Sequence, residues 1–350
     1  MTEYAIGKIS PNDKKSLARI EQLLEQEGIR RDPHLDYVCA VFNQESDIIA
    51  TGSCFGNTLR CLAVAKEHQG KGLMNRIITH LINIQMERGH SHLFLYTKAD
   101  SAKFFQDLGF YEITQIPRQI AFMENRRNGF QHYLKRLQSA VNISSNLKIA
   151  ALVMNCNPFT LGHQFLIEKA AQENDIVHVF IVSEEQSLFP FNTRKALVIK
   201  GTAHLPNVIC HESGSYIISQ NTFPSYFQES EDAVIESNAK IDLQIFIQIA
   251  KALGIKRRYV GSEPFSRVTH IYNQIMQTTL PEKDIECIEV ERRTIDGQII
   301  SASKVRQAIK LKDFERVKQL VPATTYQFLT SDEAKTIIQN IQNTENVVHY

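Results

Sequence analysis

The chain has 350 residues, 43% hydrophobic and 22% charged, with 39 Lys and Arg against 38 Asp and Glu. That length predicts two or three domains, and that composition predicts sizeable cores and excludes a disordered chain. A formal net charge of +1 excludes a chain-wide electrostatic grip on nucleic acid or an anionic membrane, and leaves only local phosphate sites open.

No apolar stretch approaches the length needed to cross a bilayer. The opening MTEYAIGKIS lacks the basic segment and apolar core of a secretory leader, so the cytoplasm is the expected compartment. Six cysteines are scattered without a C-x-x-C pair or a nearby histidine set, which predicts reduced, mostly core thiols and neither a zinc knot nor a disulfide framework. Cys156 is either a small packing residue or a reactive thiol.

Along the chain, RIEQLLEQEGI (19–29) has helical spacing and the terminal glycine Gly28. YVCAVFN and IIATGSCFG flank the turn signal QESD as a hairpin would, and TLRCLAVA is a third strand. KEHQGKGLMNRIITHLINIQMERG follows, its glycines opening a helix of amphipathic period. Such a turn offers free backbone N–H groups and a positive helix end to a pyrophosphate, or the glycines merely permit a tight turn. SHLFLYTK, ADSAKFFQDLG and FYEI then read as strand, short helix and strand.

This order over residues 1 to about 115 resembles the GNAT acetyltransferase fold. In that family the glycine turn cradles the pyrophosphate of coenzyme A, and Gln69, Gly70, Lys71 and Gly72 match it, while Met74 stands where Gly or Ala is usual. KFFQDLGF resembles the later family signature, but Phe105 stands where many members carry a Tyr general acid. The resemblance implies a groove for a pantetheine or coenzyme-A-type arm in a domain, 1–124, that binds it without transferring acetyl groups.

Residues 125–147 are polar and basic and read as a linker helix. Beyond them, KIAALVMN, IVHVFIVS, NVICHE, RRYVGSE and IECIEVER alternate with four helical segments. Near-continuous apolar strands alternating with helices predict a parallel sheet covered on both faces, with ligands beyond the carboxyl ends of its strands. TSDEAKTIIQNIQN reads as a helix capped by Thr330 facing Glu333, within a helical tail at 331–350.

At the end of the first of these strands stands Asn157-Pro158-Phe159-Thr160-Leu161-Gly162-His163. Taken alone, Thr160 is a helix cap with His163 facing solvent. The stretch Thr160 to His163 resembles the (His/Thr)-x-Gly-His signature of the nucleotidyltransferase superfamily, and ISASKVR (300–306) resembles that superfamily's Ile-Ser-x-Thr/Ser-x-x-Arg motif. The resemblance implies an ATP site. Thr160 and His163 would act on the α-phosphate with Gly162 admitting it, and Ser301, Ser303 and Arg306 on the β- and γ-phosphates.

Together with SEEQSLFPFNTRKALVIKGTAHLPNV, SGSYIISQNTFPSYF and YVGSEPFSRVTHIYN, these segments resemble the citrate lyase ligase family across essentially the whole chain. The implied fold class is α/β, a GNAT-like α+β domain followed by a Rossmann-like nucleotidyltransferase domain at 148–330. The implied reaction is ATP plus acetate giving acetyl adenylate and pyrophosphate, with the acetyl group passed to the thiol on the acyl carrier subunit of citrate lyase. Magnesium is expected to bridge the phosphates. Gly261 and Ser262 are expected against the nucleoside. Arg194 and Lys200 reach phosphate or acetate, or form a solvated basic face. Glu263 serves ribose, metal or a structural cap, and Tyr216 with Thr222, Phe223 and Pro224 shapes an acetate pocket or packs in a core. A nucleotidyltransferase that adenylylates a phosphopantetheine-like substrate is the rival reading.

Overall fold

The computed structural model describes residues 4–140, 146–183, 187–217, 231–263 and 267–347. They fall into two compact units, 1–133 with 222–244 and 134–221 with 245–350.

The first unit opens with β1 (Ala5–Lys8) and α1 (Lys14–Gln26), whose N-terminus is capped by Asp13 accepting from the Ser16 N–H at 3.0 Å. The hairpin expected from the QESD turn is β2 (Tyr37–Phe42) with β3 (Ile48–Phe55), followed by β4 (Thr58–Val64), α2 (Leu73–Glu87) and β5 (Phe94–Lys98). After α3 (Ala102–Asp107) come β6 (Tyr111–Ile116) and β7 (Ile120–Glu124). The sheet order is β1-β2-β3-β4-β5-β7-β6, so β7, which the sequence reading did not anticipate, separates β5 from β6. β4 and β5 run parallel but pair only through Thr58 with Phe94 and Leu59 with Leu95. Beyond those pairs a groove of about 700 Å³ opens, lined on one side by Leu62, Ala63 and Val64 and on the other by Tyr96, Thr97 and Lys98. Its floor rests on a core in which Leu73, Ile77 and Leu81 of α2 pack against Leu59, Leu95 and Phe105.

The expected linker helix is α4 (Gly129–Ser139). The second unit then contains β8 (Ile149–Met154), α5 (Leu161–Glu173), β9 (Ile176–Ile181), α6 (Phe191–Gly201) and β10 (Val208–Glu212). After α7 (Glu231–Leu253) come β11 (Arg257–Gly261), α8 (Arg267–Thr279) and β12 (Glu286–Val290). All five strands are parallel in the order β10-β9-β8-β11-β12. The chain moves outward on one side from β8 and then restarts on the other side at β11, which leaves a crevice where the order reverses. The buried positions Leu152, Val179 and Ile181 of the strands meet Ile167 and Ala170 of α5 and Leu197 and Val198 of α6 on one face.

A two-stranded hairpin, β13 (Thr294–Ile295) and β14 (Gln298–Ile299), leads into α9 (Ala302–Lys310), α10 (Phe314–Leu320), α11 (Ala323–Leu329) and α12 (Lys335–Asn343). The described part of the helical tail, 331–347, packs into the second unit. Ile337, Ile341 and Val347 share one core with Val305 and Ile309 of α9 and Val317 of α10. Thr330 does not cap α12, because its hydroxyl donates to the Tyr326 carbonyl at 3.0 Å and closes the end of α11.

Candidate active site

β8 ends at Met154, and the chain turns through 155–160 before α5 begins. Cys156 takes a φ of 53° and the Asn157–Pro158 peptide is cis. The Cys156 side chain is 1% exposed and burial raises its thiol above the ordinary range, so it is an inert packing residue. Phe159 is fully buried, stacks on His163 with centroids 6.0 Å apart, and sits so close to α6 that a Cβ on Gly201 would fall 2.4 Å from its ring.

Two arginines hold this loop from behind. Arg194 is fully buried and donates to the carbonyls of Phe189, Asn155 and Val182 at 2.7–2.9 Å. The expected solvated basic face is therefore absent at Arg194. A buried guanidinium demands acceptors, and the ends of β8 and β9 supply them. Lys200, one and a half turns on, is exposed beside a shallow depression of about 250 Å³ with Leu161, Gln164 and His204. Arg306 is 3% exposed, with Nε donating to the Val347 carbonyl at 2.6 Å and Nη1 to the Asn157 carbonyl at 2.5 Å. The sequence placed Arg306 on phosphate, whereas here it ties α9 to the loop.

Thr160 caps α5: its hydroxyl accepts from the His163 N–H at 3.3 Å while its own N–H donates to His163 Nδ1 at 3.1 Å. Because Nδ1 accepts, the neutral ring carries its proton on Nε2. Burial, reinforced by the charges of Arg292 and Arg306, pushes His163 down to about 4, so the ring is neutral at pH 7. Among the described residues Nε2 has no hydrogen-bond partner.

Ser301 caps α9 by accepting from the Lys304 N–H at 3.3 Å, and its hydroxyl lies 2.9 Å from that of Ser303. The two capped helix starts meet, since a Cβ on Gly162 would lie 3.1 Å from the Ile300 carbonyl. The fold thus brings the two signatures, far apart in sequence, into contact. Two positive helix ends converging beside a neutral Nε2–H donor can bind a phosphate chain and stabilise charge developing on it.

The third wall is the end of β11, adjacent to β8. Gly261 and Ser262 are half-buried; the Gly261 carbonyl accepts from Asn273 Nδ2 at 3.1 Å and the Ser262 carbonyl from Arg292 Nε at 2.6 Å. Glu263 is ion-paired with Arg292, the behaviour of a structural partner. Arg292 itself went unnoticed in the sequence, although it stands two residues beyond the end of β12 and strand ends are where ligand contacts are expected. Tyr216 is buried at 5% exposure, whereas Thr222, Phe223 and Pro224 lie outside the described residues. Among the described residues no three His, Cys, Asp or Glu side chains converge to hold a metal.

In the first unit, Gly70 and Gly72 have φ of 76° and 72°, which favours glycine at both, and Gly72 opens α2 without a side-chain cap. Gln69 Nε2 donates to the Val64 carbonyl and to Glu27, each at 3.1 Å, pinning the turn to the groove's edge. Lys71 is exposed, Met74 packs against the core, and Phe105 is 6% exposed and part of it.

A family model described as the citrate lyase ligase C-terminal domain matches residues 149–329, and the acetyltransferase (GNAT) family model matches residues 7–110. The chain is 38% identical over 328 residues to a [citrate [pro-3S]-lyase] ligase from Escherichia coli K12, covering 92% of both chains. A relative of the same name from Haemophilus influenzae is 35% identical over 323 residues, covering 91% of this chain and 96% of that one. A phosphopantetheine adenylyltransferase from Staphylococcus carnosus is 31% identical over 64 residues, 18% of this chain. With near-complete coverage at this identity, and with both halves matched by their own family models, the chain belongs to the citrate lyase ligase family and is an enzyme of the [citrate (pro-3S)-lyase] ligase type.

Proposed function

We propose that the second unit activates acetate with ATP and that the acetyl group is then passed to the thiol of the phosphopantetheine-type prosthetic group on the acyl carrier subunit of citrate lyase. The observation that carries this reading is the meeting of the α5 and α9 N-termini around a neutral His163. An acetate oxygen attacks the α-phosphorus in line, the bond to the β-phosphate oxygen breaks, and pyrophosphate leaves. Charge builds on the non-bridging α-phosphate oxygens, where His163 Nε2–H donates and the amides at the start of α5 add their dipole. Ser301 and Ser303 offer hydroxyls and amides farther along the chain of phosphates.

In the second step the carrier thiolate attacks the acetyl carbonyl carbon, AMP leaves with the electron pair, and the thiol proton passes to solvent. No enzyme cysteine is needed, in keeping with the buried, protonated Cys156. The groove of the first unit is the holding place for the arm, with Gln69, Gly70, Lys71 and Gly72 at its phosphate end. Phe105 cannot donate a proton, which fits binding without acetyl transfer. No described helix is long and apolar enough to cross a membrane, and the cytoplasm is the compartment this reading assigns to an ATP-driven reaction.

Acetate-stimulated ATP–pyrophosphate exchange tests the reading. Exchange should require acetate and be lost in His163→Ala. Exchange driven by phosphopantetheine and indifferent to acetate would instead make the chain an adenylyltransferase.

A further inference from the structure

Arg292 belongs to neither signature, yet it is built into the crevice. Its Nε donates to the Ser262 carbonyl at 2.6 Å and its Nη2 pairs with the Glu263 carboxylate. Its side chain runs beside Gly261, where a Cβ would come 3.8 Å from Nε. Among the described residues Nη1 has no hydrogen-bond partner, and the side chain remains 27% exposed. One edge of the guanidinium is therefore anchored and the other is open.

The position of that open edge follows from the topology. β11 lies beside β8, so the loop that anchors Arg292 flanks the turn carrying Thr160 and His163. On the other side, the hairpin that Arg292 precedes closes through the Ile300 N–H donating to the Arg293 carbonyl at 3.0 Å. The Ile300 carbonyl in turn lies close against Gly162, so Arg292 stands at the foot of the contact between the two signatures. After burial, the charge of Arg292 does most to hold the His163 imidazole below its ordinary range, ahead of Arg306. Arg306 lies behind the loop at 3% exposure, engaged by the carbonyls of Asn157 and Val347.

We propose that Arg292, and not Arg306, binds the β- and γ-phosphates of ATP and the departing pyrophosphate. Glu263 and the Ser262 carbonyl aim its free edge, and Arg306 is a positioning residue that holds the α5 loop against α9. A guanidinium already fixed along one edge loses little freedom when the other edge meets phosphate, and its planar fork suits two oxygens at once. This inference rests on the ATP-site reading and refines which residue serves it.

Binding of ATP and of AMP, each without acetate, is measured by calorimetry on the full chain alongside thermal unfolding. Arg292→Gln should weaken ATP by about 30-fold while leaving AMP within about threefold, because AMP lacks the phosphates concerned. Its Tm should stay within about 2 °C, since the side chain is partly exposed. Arg292→Lys should recover part of the loss, keeping charge without the fork. Arg306→Lys should lower the Tm and weaken ATP and AMP by the same factor. The proposal is overturned if Arg292→Gln binds ATP normally or loses ATP and AMP equally. It is likewise overturned if Arg306→Lys loses ATP selectively with its Tm intact. A wild-type chain that binds no ATP would sink both readings, whereas failure at Arg292 alone leaves the ATP site standing.

Discussion

Replacing Gly201 by alanine shifts the loop between β8 and α5 without altering any residue expected to face a ligand. The added Cβ would lie 2.4 Å from Cε1 and 2.9 Å from Cδ1 of Phe159, about 1 Å short of ordinary contact. Phe159 is fully buried, so its ring cannot swing into solvent, and it is stacked on His163. Overpacking of this size costs about 1–3 kcal/mol, against which alanine's helix propensity returns at most about 1 kcal/mol. Gly201→Ala should therefore be destabilised by about 1–2 kcal/mol in urea titration. A ring displaced by about 1 Å drags the loop and His163 with it, and misplacement on that scale lowers turnover by up to about 100-fold. Acetate-dependent ATP–pyrophosphate exchange reads the second effect. The smaller side chain in Gly201→Ala/Phe159→Leu should relieve the overlap, leaving the pair more stable than the sum of the two single changes by about 1 kcal/mol. Strict additivity, or a neutral Gly201→Ala, would refute the claim that this contact positions the loop.

Thr160→Val keeps volume at a 1% exposed site but removes the acceptor for the His163 N–H, and should cost about 1 kcal/mol of stability by urea titration. The Thr160 backbone N–H to Nδ1 bond survives it, so the histidine tautomer, read by nitrogen NMR shifts, should not change. His178 and His211 share a buried hydrogen bond of 2.8 Å; burial holds both below the ordinary histidine range, and the neighbouring His211 charge adds to it at His178. Depressed folded values mean that the unfolded chain binds more protons, so stability should fall as pH drops below about 6.5, by up to about 1.4 kcal/mol per pH unit per histidine. His211→Gln should flatten that slope between pH 6.5 and 4.5, and an unchanged slope would place the acid sensitivity elsewhere. Gly72→Ala, at a φ of 72°, should cost about 1 kcal/mol and weaken binding of a pantetheine pyrophosphate probe without slowing acetate-dependent exchange. Loss of exchange would assign the turn a role in the adenylation step.

The sequence carried the parallel sheet, the front hairpin, the glycine turn at α2 and both helix starts of the proposed ATP site. These are local features, in which apolar period, turn glycines and capping hydroxyls act over a few residues of backbone. Short elements such as β1 and the buried β7 gave too brief a pattern to read, and the order in which β7 slips between β5 and β6 is a long-range choice. The same limit explains the arginines. Arg194, Arg292 and Arg306 are chemically identical in the sequence, and each could as easily meet solvent as phosphate. Only the packing of α6, α9 and the β11 loop decides that two are enclosed by carbonyls while the third is anchored along one edge and open along the other. Burial is expensive for a guanidinium, so the carbonyls waiting for it fix its role, and those acceptors come from distant parts of the chain.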